Sequence, residues 1–278
     1  MEKKLEQIHQ ANLCILKEIH RICQKYKISY SLDSGTLLGA IRHQGFIPWD
    51  DDADVVFLRK DYERFLSVAK KELSGKFELL LPKDLQEGEV FYDFTPRILN
   101  KESKIQANNE EMQYYGGKMN HLWVDLFVLD RISDKPFLRW MRIIQLKIVY
   151  ALAMGHRYQM EWNKYPSIIK IGVWILSNIG KKISMKKIYA VWDVLSKKDA
   201  HQANNRLYYS NYQPDYLPVY LAESWCSHII EKKFESENFL VFQGYQHILK
   251  NVYGDYHCLP PLKKRMPTHV NLQEFKLN

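Results

Sequence analysis

Four carboxylates stand within five positions: Asp50, Asp51, Asp52 and Asp54. Asp52 and Asp54 alternate with Ala53, Val55 and Phe57, so a strand over 52–58 puts both acids on one face, with Cα atoms ~7 Å apart. Side chains at that spacing can converge on one hard cation. Magnesium or manganese is the expected ion, because the cluster holds no Cys and its nearest His is His43. The other reading is a solvated acidic turn after Pro48-Trp49. Against it, the carboxylates repel one another without a counter-ion, and Val55-Val56-Phe57 ties them to a buried strand.

Upstream, Ser34-Gly35-Thr36 supplies the small residues of a strand-to-helix turn before Leu37, Leu38 and Ile41. A helix starting there aims free N–H groups and the positive end of its dipole at an anion, with the Thr36 hydroxyl in reach; a plain helix cap is the alternative. Arg42 offers either a guanidinium fork for a phosphate oxygen or a charge that complements the helix C-terminus. Farther on, Asp125 interrupts the apolar run 122–128. A lone buried carboxylate is costly unless a metal or cation pairs with it, although a satisfied structural Asp fits the same pattern.

Gly35-Thr-Leu-Leu-Gly-Ala-Ile-Arg42 followed by Gly45-Phe-Ile-Pro-Trp-Asp-Asp-Asp-Ala-Asp54 resembles the signature of the LicD family, the bacterial phosphorylcholine transferases related to fukutin-type proteins. The likeness is dense over 13–57. Leu122-Trp-Val-Asp-Leu-Phe-Val-Leu-Asp130 is similar to the family's second acidic strand, and Tyr253-Gly-Asp-Tyr256 with Leu259-Pro-Pro261, Lys264-Arg265 and His269 to its C-terminal signature. The stretch 130–223 carries no such likeness. The resemblance implies an α+β fold with a polymerase-β-type nucleotidyltransferase core, a mixed sheet flanked by helices. It places the helix turn at Gly35 and Thr36, the acid pair at Asp52 and Asp54, and the third acid at Asp125. These three acids are then the catalytic and metal-holding residues. Ser34, Gly35, Thr36, Arg42, Lys264 and Arg265 are the candidates for binding phosphate. The implied reaction moves phosphocholine, or a related phospho-substituent, from a CDP-choline-like donor to a hydroxyl of a glycan, lipid-linked glycan, teichoic acid or lipopolysaccharide precursor, with Mg²⁺ or Mn²⁺ as cofactor and no nucleic acid partner. Leu262-Lys263 replaces the usual acidic pair, and Phe242-Gln-Gly-Tyr-Gln246 lacks the customary Pro and Asp. Both departures bear on substrate choice.

A different enzyme class competes. Asp52-Ala53-Asp54 is also an Asp-x-Asp pair of the kind that holds a nucleotide-sugar diphosphate through a metal, as in a glycosyltransferase. The Gly-Thr-Leu-Leu-Gly-Ala-Ile-Arg context argues against it. A non-catalytic glycan-binding role is the third option. Choline itself favours aromatic cages, and 18 Tyr with 7 Trp leave its site unassigned.

The elements that must position these residues follow from pattern. A helix is expected over 5–26, a strand near Ile28, a helix over 36–41, the acidic strand over 52–58, and a helix with Tyr62, Phe65, Leu66 and Ala69 on one face. Strands follow near Phe77, Phe91 and Leu122, and a helix over 245–253. The stretch 136–198 reads as helical and 208–220 as a loop. The units drawn from this are a catalytic core over 1–130, a helical insertion over 131–222 and a C-terminal segment over 223–278 that packs back on the core.

Forty basic against 32 acidic side chains give +8 in 278 residues, which suits an anionic partner or ordinary solvated helix faces. Cys14, Cys23, Cys226 and Cys258 show neither ligand spacing nor a disulfide pattern, and Met1-Glu-Lys-Lys-Leu-Glu lacks the apolar core of a signal peptide. A cytoplasmic location, extending to the inner face of the membrane, is the expectation. The apolar run 168–179 is shorter than the ~20 residues needed to span a bilayer. It reads as a buried helix or as an interfacial one, with 137–180 as the region of peripheral membrane contact.

Overall fold

The computed structural model describes residues 2–200 and 204–277. The chain begins with α1 (Glu2–Tyr26), whose Ile8, Ile15, Ile19 and Ile22 recur at helical spacing and are all fully buried. Then come β1 (Ser31–Leu32), α2 (Ser34–Arg42), β2 (Asp54–Leu58), α3 (Arg59–Glu72), β3 (Phe77–Leu80), β4 (Arg97–Asn100), β5 (Ser103–Lys104), α4 (Glu110–Tyr114) and the long β6 (Leu122–Ile132).

These strands build a mixed sheet in the order β1-β2-β6-β4-β3. β2 and β6 are parallel, and β4 runs antiparallel to β6. Because side chains alternate across a strand, one face of β6 presents Val124, Leu126 and Val128 and the other Trp123, Asp125 and Phe127. The first face closes the main core with Val55, Phe57 and Phe65, whose Phe57–Phe65 rings stack at 5.0 Å. Full burial of one such ring contributes roughly 1.5–3 kcal/mol. The second face is the floor of a cavity.

Three helices follow, α5 (Pro136–Ala153), α6 (Ser167–Gly180) and α7 (Met185–Lys197), of which α5 and α6 wall the cavity. Helices α5 and α7 close a second core with Phe91 and Phe94, the latter stacked on Trp192 at 4.8 Å. The strand expected near Phe91 is therefore an irregular segment held by helices, and the regular strand starts only at Arg97. The chain then returns to the sheet. β7 (Arg206–Tyr209) pairs with the far half of β6, and β8 (Tyr220–Ala222) pairs with β7. The stretch expected as a loop over 208–220 thus has strand at both ends. Its Tyr residues serve β-structure at Tyr208, Tyr209 and Tyr220 and face the cavity at Tyr212, which composition alone does not separate from a loop. Within 131–222 the helical part ends with α7, and the remainder includes two strands of the main sheet.

A hairpin, β9 (Ile229–Phe234) with β10 (Glu237–Phe242), precedes α8 (Tyr245–Tyr253). Its turn residue Glu235 accepts a 2.9 Å bond from the Phe46 N–H, and a Cβ at Gly45 would fall 2.2 Å from the same carboxylate oxygen. Gly45 therefore leaves room for the hairpin to lock the loop that leads into the acidic run. The last strand, β11 (Lys276–Leu277), pairs with β5.

Candidate active site

The acidic strand starts at Asp54, two residues later than expected. Asp50 to Ala53 form an irregular approach, because their carboxylates are recruited by other elements. Asp51, buried, accepts from the backbone N–H groups of Thr268, His269 and Val270 at 3.1, 2.9 and 2.6 Å. Asp50 lies over α2, where a Cβ on Gly35 would meet its Oδ2 at 2.4 Å. Gly35 is thus required by a carboxylate packed on the first turn of the helix. Ser34 beside it holds φ 48°, in the left-handed region, a strain of roughly 1–3 kcal/mol for a residue other than Gly.

Register then assembles the centre. In the parallel β2–β6 ladder Asp54 is opposite Asp125, and in the antiparallel β4–β6 ladder Arg97 is opposite Asp125. The three side chains form a row across one sheet face, strands ~4.8 Å apart. Arg97 Nε lies 2.8 Å from Asp125 Oδ1, and the same guanidinium donates to Asp93. Trp123 Nε1 donates to Asp125 Oδ2 at 3.2 Å. Thr36 Oγ1 accepts the Asp54 N–H at 2.9 Å and so ties the helix turn to the acidic strand. Asp52 is half-buried, with its Oδ2 3.4 Å from His269 Nδ1.

Burial, then repulsion from Asp52 and Asp125, drives the Asp54 carboxyl well above its ordinary range. Burial likewise lifts Asp125 to about 6 against the pull of Arg97, and lifts Asp50 to about 8 with help from Asp52. Asp33, buried at the head of α2, is raised to about 6 although Tyr209 donates to it at 2.8 Å. His269 goes the other way: its bond to Asp51 raises it to about 9, so it is a cation at neutral pH. Arg97 stays charged because Asp125 and Asp93 outweigh the cost of its burial.

These groups stand at the floor of a cavity of about 430 Å³. Asp52, Asp54 and Asp125 all line it. Its walls add Lys147 from α5, Arg157 and Tyr165 from the connection to α6, Tyr212 after β7, and His269. Ser34, Gly35, Thr36, Arg42, Lys264 and Arg265 do not line it. Ser34 opens instead onto a small cleft beside α8. Arg42 donates to the Tyr256 carbonyl at 3.1 Å, while Arg265 donates to the Pro260 carbonyl at 2.9 Å and lies over Trp49. Both arginines thus bind the C-terminal loop. Sequence reasoning missed Arg97, Asp93, Lys147, Arg157 and Tyr212 as members of the site. An Arg in the short apolar run 97–100 was the available signal for the first.

Asp125 Oδ1 is already paired with Arg97 Nε, whereas the buried Asp54 carboxylate faces only other acids. A buried carboxylate among mutually repelling acids fits a hard divalent cation. Among the described residues no three acidic, His or Cys side chains stand together as a finished cage, since Arg97 and His269 hold two of the carboxylates.

Residues 27–164 match the family model described as LicD/FKTN/FKRP, nucleotidyltransferase domain. The lipopolysaccharide cholinephosphotransferase LicD of Haemophilus influenzae is 31% identical in a match covering 96% of this chain and 97% of that protein. The chain belongs to the LicD family. It is therefore an enzyme, a LicD-type transferase, as the motifs at 35–54 and 122–130 imply. An uncharacterized protein of Rickettsia typhi matches more locally, 42% identical over 67 residues, 24% of this chain and 20% of that protein. The LicD match extends over the helical region 136–198, where no motif was legible.

Proposed function

We propose that this LicD-family enzyme transfers phosphocholine from CDP-choline to a hydroxyl of a lipopolysaccharide-type or other cell-surface glycan precursor, on a nucleotidyltransferase-type core. The observation that carries the reading is the row Asp54–Asp125–Arg97 on the floor of one cavity whose walls combine cations and aromatic rings. The full-length likeness to a cholinephosphotransferase supports the transferred group.

Asp52, Asp54 and Asp125 would hold Mg²⁺ or Mn²⁺, which when bound neutralises the donor pyrophosphate. The rest is done by the chain. Lys147 and Arg157 supply positive charge for the phosphates. Tyr150, Tyr165 and Tyr212, with Glu161 and Asp215 lining the same cavity, give a trimethylammonium group aromatic rings and negative charge. Arg97 fixes Asp125 in place, and Thr36 fixes Asp54. The acceptor oxygen bonds to the phosphorus that carries choline, its proton leaves to the carboxylate floor, and the P–O bond to CMP breaks.

The test is a donor panel with the purified chain and Mg²⁺. CMP release from CDP-choline, exceeding that from CDP-glycerol and CDP-ribitol, is expected. Turnover of a sugar nucleotide with silence on CDP-choline would sink the proposal and revive the glycosyltransferase reading.

A further inference from the structure

The helical region beside the cavity carries more positive charge than the reaction uses. Over 135–192 there are eleven Lys and Arg against one acid, Glu161; Lys147 and Arg157 face the cavity and Arg142 is buried against Asp199, which leaves eight. Within the same region α5 and α6 leave large apolar side chains in water. Phe137, Trp140 and Ile144 recur at helical spacing on α5 and are 68, 59 and 38% exposed. On α6, Ile168, Ile171 and Trp174 are 91, 67 and 58% exposed. A helix face of this kind needs a partner.

We infer that the α5–α6 face is a docking surface for a bilayer rich in anionic lipid. A second copy of the chain would bring two such basic regions together, and that repulsion opposes self-association through this face. Anionic headgroups complement it, with Trp140 and Trp174 as interfacial rings and Lys170, Lys181 and Lys182 at the level of the phosphates. The helices rest on the surface. No helix of the described residues is long and apolar enough to cross a membrane, and the 14 residues of α6 reach only ~21 Å. The two helices are pinned together where Gly180 sits on the Leu152 carbonyl, a position at which a Cβ would fall 1.9 Å from that oxygen. Their inner sides, through Lys147 and Ala151 of α5 and Ile169 and Val173 of α6, line the catalytic cavity. The elements that meet the lipid are thus the elements that wall the cavity, so an acceptor carried on a lipid reaches it without leaving the bilayer. This location holds whichever nucleotide donor the cavity takes.

Co-sedimentation of the full chain with sucrose-loaded vesicles tests it. Binding is expected to vesicles containing phosphatidylglycerol and to fall with added salt. The double variant I171E/W174E, outside the cavity lining, is expected to lose at least ~10-fold in partitioning, with an unchanged circular-dichroism melt and unchanged CDP-choline hydrolysis in solution. The variant K181E/K182E should weaken binding without touching the apolar face. Wild-type protein left in the supernatant with anionic vesicles, or I171E/W174E binding like wild type, would overturn the inference. So would a dimer in light scattering that I171E/W174E converts to monomer, since the face would then be covered by a second copy.

Discussion

Asp54 is held by the fold in a place where its charge is opposed, and substitution separates those two facts. Asp54→Asn keeps the size and removes the charge that burial and the neighbouring acids disfavour. The metal-free variant is expected to melt a few degrees higher than wild type, while phosphocholine transfer falls at least ~10³-fold, the scale of losing a main electrostatic contact to the transition state. Differential scanning fluorimetry and a transfer assay on one preparation check both halves. Asp33 supplies the pH test. Its folded pKa of about 6 lies above the ordinary 3.8, so the folded state binds the proton more tightly. Its contribution is therefore favourable below pH 3.8, declines as pH rises toward 6 and is a penalty above that. A shift of this size corresponds to about 3 kcal/mol. Asp33→Asn, which still accepts from Tyr209, is expected to stabilise the chain at pH 7.5 and to change little at pH 4 in urea titrations.

Strand register is the element-scale device, because β6 is the common partner that puts Asp54 on one side of Asp125 and Arg97 on the other. Arg97→Met leaves Asp93 and Asp125, only 14 and 18% exposed at their side chains, without their cation. A loss of roughly 3–5 kcal/mol is expected in chemical unfolding, the cost of breaking a buried pair from one side. An unchanged midpoint would show that Arg97 does not hold the row. Part of this arrangement is legible in the sequence. Alternation around Asp54 and the apolar run around Asp125 give two strands with an acid on each, and the stripe of Ile8, Ile15, Ile19 and Ile22 gives α1. The ladder that joins them is not legible, because Arg97 and Asp125 become neighbours only through an antiparallel pairing across the loop between β4 and β6. The late start of β2 is also hidden. Asp50 and Asp51 are taken by contacts to Gly35 and to residues 268–270, which alternation of residue types does not encode. The segment around Phe91 misleads for a related reason: its aromatic residues are there to receive α5 and α7, and a strand uses the same residues.

At the scale of the whole molecule, Asp51 makes the C-terminal end part of the site. Hydrogen bonds from His269 and from three backbone N–H groups hold its carboxyl below the ordinary range although burial works against them. His269 is raised from 6.5 to about 9. The Asp51 contribution is present above pH 3.8 and lost as acid protonates it below that. The His269 contribution is complete below pH 6.5 and lost as pH rises through 9. The clamp is therefore strongest from about pH 4 to 6.5, and cleavage by limited proteolysis between residues 258 and 270 is expected to accelerate above pH 9. A rate flat across that range would mean the clamp does not restrain the segment. Helices α5 and α6 complete the enclosure, and the match with the Haemophilus cholinephosphotransferase spans them as well as the sheet.

The most direct test of the account follows the choline group itself. Choline-labelled CDP-choline is incubated with the full chain, Mg²⁺ and a lipopolysaccharide acceptor, in parallel with chelator and with the Asp54→Asn variant. Label transferred to the acceptor in step with CMP release, and abolished in both controls, is the expected result. Label transfer that persists at the wild-type rate in the Asp54→Asn variant or with chelator would contradict the claim that the Asp54–Asp125 pair carries a metal-dependent phosphocholine transfer.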